Sequence, residues 1–150
     1  MSKRRSRSKE PRPPKIPRLV LDECIRSYAL RDALRADGIV ADLSVELFGV
    51  GLTDEELFPK VRRLGAAFVT KDHAIGRQPA RQRALIEQRL AAIFLAHEEL
   101  MRGEMISSMR ASYARLERFT GRYRPPYIIR ITPSGHLDLI HPQKGTPRRR

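Results

Sequence analysis

The sequence predicts an α/β fold, a mostly parallel central sheet with helices on both faces and a small C-terminal β-hairpin. Two observations predict it. Short apolar blocks alternate with stretches of helical periodicity, the pattern of buried strands joined by crossover helices. The last block, "PPYIIRITPSGHLDLI", instead holds two strand-like runs around a Pro-Ser-Gly turn. Because such crossovers are nearly always right-handed, the parallel strands all end along one edge.

Taken in order, "RLVLD" reads as the first strand. "ECIRSYALRDALRAD" reads as a helix with Ile25, Ala29, Ala33 and Ala36 on one stripe, Tyr28 beside it, and Gly38 as its stop. "IVADLSVEL" is the second strand. "TDEELFPKVRRLG" is the second helix, with Thr53 and Glu56 as a capping box and Leu57, Val61 and Leu64 facing inward. Pro59 is expected in or near its first turns, and Gly65 closes it. "AAFVTKD" is the third strand, "ARQRALIEQR" a helix, and "LAAIFLA" the fourth strand. "EELMRGEMISSMRASYARLERFT" is a long helix with Met101, Met105, Met109, Tyr113 and Leu116 along one side.

A chain of 150 residues suits one ordinary domain, and 41% apolar content supports a core. Tryptophan is absent, so aliphatic side chains must fill that core. The net charge is +13, but residues 1–18 hold eight Lys/Arg against one Glu, and residues 141–150 hold four and no acid. The body between them is nearly neutral. "MSKRRSRSKEPRPPKIPR" and "HPQKGTPRRR" bury too little apolar surface to offset their ordering entropy. We therefore expect disordered basic tails at 1–17 and 141–150 around a domain at 18–140. Such tails are either solvated or bind RNA or another partner through salt-dependent phosphate contacts. The single cysteine, Cys24, excludes an intramolecular disulfide and fits a reducing compartment. The longest apolar run, Leu90–Ala96, is far too short to span a bilayer, and no secretory signal pattern is present. A cytoplasmic protein with no membrane partner is expected.

Ligands of open α/β sheets bind beyond the carboxyl ends of the strands. Asp22 and Asp72 follow the first and third strands there. With Leu57, Val61 and Leu64 inward at 100° per residue, Asp54 lies about 60° from Leu57 and Glu55 on roughly the opposite side. Asp54 is thus the acid of that turn best aimed at the sheet. Three carboxylates brought together raise one another's pKa, and a divalent cation relieves the repulsion. Hard oxygen ligands suit Mg2+ or Mn2+; no Cys/His spacing resembles a zinc site. Taken singly, each acid also serves as a helix cap.

"VLDE", then "TDEELFPKVRRLGAAFVTKDHAI", then "PPYIIRITPSGHLDLI" resembles the PIN-like ribonuclease domains of bacterial toxin–antitoxin pairs, the VapC-like branch, over residues 18–140. The resemblance implies a three-layer α/β/α sandwich and a metal-dependent endoribonuclease acting as a type II toxin. It implies Asp22, Asp54 and Asp72 as catalytic, metal-binding acids for Mg2+ or Mn2+. Its partners would be an RNA substrate, a cognate antitoxin covering the acidic cleft, and a second copy in a homodimer. The family's fourth acid falls on Glu98 or Glu99, which also suit a helix first turn.

Lys71, Arg77, Arg81 and Arg83 are candidates for contacting RNA, Lys71 at the scissile phosphate; each also suits an exposed face. His73 is a candidate proton donor or a loop residue. Cys24 reads as a packed helix residue. "FGVG" at Phe48–Gly51 lacks the Lys and Ser/Thr of a phosphate loop. Two other readings remain open. A phosphoacceptor receiver domain also has acids after its first and third strands, but it needs a Lys after its last strand. A non-catalytic RNA-binding module would act through the tails.

Overall fold

The computed structural model describes residues 12–72, 74–96 and 102–142. Six strands form one sheet: β1 (Leu19–Leu21), β2 (Ala41–Leu43), β3 (Ala67–Thr70), β4 (Ala91–Leu95), β5 (Tyr127–Ile131) and β6 (Leu137–His141). Six helices join them: α1 (Tyr28–Ala36), α2 (Ser44–Phe48), α3 (Asp54–Arg63), α4 (Ala74–Arg77), α5 (Pro79–Glu87) and α6 (Arg102–Arg122). The strand order is β2-β1-β3-β4-β5-β6. Only the β5–β6 pair is antiparallel, so the expected mostly parallel sheet with a C-terminal hairpin is what forms.

The continuous apolar strands bury both faces. Leu19, Leu21, Val69 and Ile93 join one core with Leu30 and Leu34 of α1 and Met105, Met109 and Leu116 of α6. Val20, Phe68 and Phe94 join a second core with Leu57, Phe58 and Val61 of α3 and Leu85 of α5. The layers are therefore α1 and α6, the sheet, then α3 and α5. Phe58 and Phe68 meet edge-to-face at 5.3 Å, which fixes α3 against β3.

Several local expectations are corrected. The first helix begins at Tyr28, with Ser27 as its N-cap, accepting from the Leu30 N–H. Ile25 is buried in the preceding turn, and Leu30 and Leu34, not the alanines, form the buried stripe; Tyr28 is 58% exposed. The second strand stops at Leu43, because Ser44–Phe48 coils into α2. Phe58 is buried, while Leu64 is only partly so. Pro59 is the sixth residue of α3, past its first turn, so the Glu55 carbonyl has no N–H four residues on to accept from. The capping box forms as expected: Thr53 accepts from the Glu56 N–H at 3.2 Å, and Glu56 accepts from the Thr53 N–H at 2.9 Å. Met105 and Met109 are buried, whereas Met101 lies outside the described residues.

Residues 12–17, expected within a disordered tail, lie on the body instead. Arg12 pairs with Glu117 at 2.7 Å, the Lys15 N–H donates to the same carboxylate at 3.2 Å, and Ile16 packs on the first core. Too few apolar residues are present for this to show in composition; the contacts are Glu117 for Arg12 and Lys15, the first core for Ile16, and Gly38 for Pro13. Residues 1–11 and 143–150 are outside the described residues. No helix among the described residues is long and apolar enough to cross a membrane.

Candidate active site

In this strand order the connection leaving β1 runs to β2 on one side and the connection leaving β3 runs to β4 on the other, so the topological switch point lies between β1 and β3. Asp22 and Asp72 follow those two strands, and the Asp22 N–H bonds the Val69 carbonyl at 2.8 Å, holding their ends together. Asp54 opens α3 at the same edge, one residue after its Thr53 cap. Three acids from three segments therefore reach one edge, as expected, and Glu55 is exposed.

Thr70, the last residue of β3, is fully buried and links two of them. Its hydroxyl donates to Asp22 Oδ2 at 2.8 Å and accepts from the Asp72 N–H at 3.1 Å. The second Asp22 oxygen accepts from the Glu23 N–H at 2.8 Å. Asp72 Oδ1 accepts from the Ala74 N–H at 2.9 Å, so Asp72 also caps α4. One sign of Thr70 is legible in the sequence: a hydroxyl at the end of an otherwise apolar strand.

Arg81, expected along an RNA path or an exposed helix face, does something else. Its guanidinium reaches back from α5, forming a short ion pair with Asp72 and a second pair with Asp54 at 3.1 Å. Only 24% of its side chain is exposed, and Nε, though 3.1 Å from Asp54 Oδ2, is buried and has no hydrogen bond aligned to it. Burial works to lower the Arg81 pKa; the bond to Asp72 and the charges of Asp54, Asp72 and Asp22 more than reverse it. One cationic group thus feels all three acids. Asp54 still has a raised pKa: burial pushes it up, the Arg81 charge pulls it back, and the charges of Asp22 and Glu55 add to the rise.

Among the described residues no group of three His, Cys, Asp or Glu is close enough to hold a metal ion as the side chains stand. The physical reason is visible: Arg81 lies between Asp54 and Asp72, and Thr70 and Cys24 engage Asp22. The donor chemistry fits a hard divalent cation nonetheless. The candidate ligands are carboxylate oxygens, and two of the three, Asp54 and Asp72, already hold a positive charge between them.

Cys24 is not in a helix. It lies exposed in the turn after Asp22, with its thiol donating to Asp22 Oδ2 at 3.2 Å and 3.4 Å from the Thr70 hydroxyl. Burial of the sulfur and the Asp22 charge push its pKa up to about 11, the opposite of an activated nucleophile. Lys71 is partly buried, and Arg77 and Arg83 are exposed. His73, Glu98 and Glu99 lie outside the described residues. At the end of β5 stand Ile131 and Thr132, not the lysine of a receiver.

A family model described as a PIN-like domain matches residues 17–97, rather more than half of the chain. That span runs from the first strand through the fourth and contains all three aspartates and Arg81. No curated protein and no solved structure matches the chain.

Proposed function

Because the chain belongs to the PIN-like domain family, many of whose members are nucleases, we propose that it is a Mg2+- or Mn2+-dependent endoribonuclease. Asp22, Asp54 and Asp72 would hold the metal. One observation carries this: at the switch point of a parallel sheet, carboxylates from two segments, Asp54 and Asp72, pair with one guanidinium, and the charge of a third, Asp22, reaches it. A divalent cation bound there supplies an activated water and stabilises charge building on a phosphodiester.

The chain's own residues divide the remaining work. Thr70 orients Asp22 and the Asp72 backbone at once. Arg81 holds Asp54 and Asp72 together against their repulsion when no cation is present. Occupancy by a cation requires Arg81 to release them, which places its guanidinium beside the site and available to an RNA phosphate. Lys71, beside Asp72 and partly buried, is a second candidate for that contact.

The wider role we propose is that of the toxin in a toxin–antitoxin pair, acting on RNA and held inactive by a protein antitoxin over the acidic edge. The motif pattern shared with the VapC-like branch supports this. The test is direct. Purified protein should cleave single-stranded RNA with Mg2+ and not with EDTA. Expression should arrest growth, and Asp72→Asn should relieve the arrest. Cleavage that persists in EDTA, or survives Asp72→Asn undiminished, overturns the assignment.

A further inference from the structure

The edge of the sheet opposite the acids carries a cleft of about 220 Å3, lined among others by Arg62, Arg89, Thr120, Tyr123 and Pro125. It lies where the chain enters β1, β3, β4 and β5, since those strands are parallel neighbours. Arg63 adjoins it in sequence, and Arg122 and Arg124 flank Tyr123. Among the described residues the side chains of these five arginines enter no ion pair or hydrogen bond, although those of Arg12, Arg18, Arg31, Arg35, Arg110 and Arg130 all do. All five are exposed.

One of them is held there against backbone preference. Helices α1, α3 and α5 end in the same two-bond motif. The residue after the cap donates back to the second-last helical carbonyl, and the next residue donates to the carbonyl before that. The left-handed residue is Gly38 in α1 (φ 88) and Gly65 in α3 (φ 68), as the motif favours. In α5 it is Arg89, at φ 57, where a side chain is strained. A helix C-terminus favours a nearby cation, which accounts for Arg62, Arg63 and Arg122. It does not account for choosing the one backbone position that penalises any side chain, when the neighbouring last turn could carry the charge.

We propose that this cleft is a seat for single-stranded RNA, with Arg62 and Arg89 on successive phosphates and Tyr123 offering an aromatic surface to a base. Tyr123 is only partly buried and stacks on Phe119 at 4.5 Å, which holds its ring in place. The seat explains how an enzyme whose reaction edge is lined with carboxylates attracts a polyanion. Arg81 is engaged by the acids and contributes little to that attraction; the five unpaired arginines add attracting charge from a second surface. This rests on the ribonuclease reading for its choice of RNA.

The experiment measures binding of the full-length protein to a fluorescent single-stranded RNA in EDTA, so that cleavage plays no part, across a salt titration. Arg62→Ser with Arg89→Gly removes two charges, and glycine suits the left-handed turn. The slope of log K against log salt should fall by about 1.4, roughly 0.7 for each lost phosphate contact on a single strand. The basic tails contribute equally to both proteins. Arg62→Lys with Arg89→Lys should keep the slope. Arg31→Ser with Arg130→Ser, which removes two ion-paired arginines that do not line the cleft, should keep it too. An unchanged slope in the Arg62/Arg89 pair overturns the seat, as does an equal fall in the Arg31/Arg130 pair. Salt-dependent binding that falls with Arg62 and Arg89 in a protein that cleaves no RNA with Mg2+ keeps the seat and removes the nuclease. Cleavage by a protein whose Arg62/Arg89 pair binds as the parent does removes the seat alone.

Discussion

At position 54 the first turn of α3 sends a carboxylate towards Arg81; at position 55 it sends one to solvent. The contrast separates geometry from charge. Asp54→Asn should lose most RNA cleavage, and Glu55→Gln should stay within about twofold of the parent, both folded by circular dichroism. The reverse pattern would show that the register of α3 had been misassigned. The Asp54 pKa is raised in the folded protein, so its ionisation costs stability as pH rises through and above the ordinary carboxylate range, about pH 4. Melting of Asp54→Asn in EDTA should therefore decline less than the parent between pH 4 and 7. A steeper decline would contradict the burial argument. Thr70→Val keeps shape but leaves Asp22 Oδ2 without its closest donor; metal affinity should fall about 10- to 100-fold, the usual cost of losing a partner that orients a ligand. Unchanged Mn2+ affinity would make Thr70 a packing residue only. Cys24, at about pKa 11, should be roughly a thousandth thiolate at pH 8 and alkylate slowly; reaction at the rate of an ordinary exposed thiol would contradict the contacts drawn to Asp22 and Thr70.

Among the elements, the third and fourth strands were the most legible, because "AAFV" and "LAAIFL" are apolar without interruption and both faces are buried. The second strand was overrun: Val45 and Leu47 flank Glu46 with a strand's alternation, but the chain turns into α2 after Leu43, and Arg31 of α1 binds Glu46 at 2.7 Å across the turn. The apolar spacing carries the stripe of α1 back to Ile25, but Ser27 caps the helix after it, so the buried face is that of Leu30 and Leu34. The partner of Asp54 and Asp72 could not be read at all. Arg81 lies nine residues after Asp72 on a separate helix, and nothing in the spacing says that α4 and α5 fold it back. The capping box of α3, by contrast, was legible from Thr53 and Glu56 alone. Thr53→Ala should cost about 1 kcal/mol by thermal melting, and an unchanged melting temperature would mean that the Asp54 turn is fixed by Arg81 instead. In the hairpin, Gly135 sits at φ 87 with Ala111 of α6 2.6 Å from where a Cβ would be. Gly135→Ala should cost more than the ~1–2 kcal/mol of the backbone term alone.

Three aspartates lie at one edge of the sheet and five unpaired arginines line or flank the cleft at the opposite edge, with basic ends on a nearly neutral body. The domain begins earlier than composition suggests. A chain of residues 12–142 should melt as the full protein does, while one of residues 18–142 should melt lower, having lost Arg12 and Lys15 from Glu117 and Ile16 from the core. Equal melting of the two would return the boundary to residue 18. The claim on which the functional account turns is that three aspartates form a cation site for which Arg81 stands in. Titration calorimetry with Mn2+ tests it most directly, on the parent, Asp72→Asn and Arg81→Gln. One site is expected in the parent, its loss in Asp72→Asn, and binding about tenfold tighter in Arg81→Gln, where no internal cation competes. No heat at millimolar Mn2+ in the parent and in Arg81→Gln alike would contradict it.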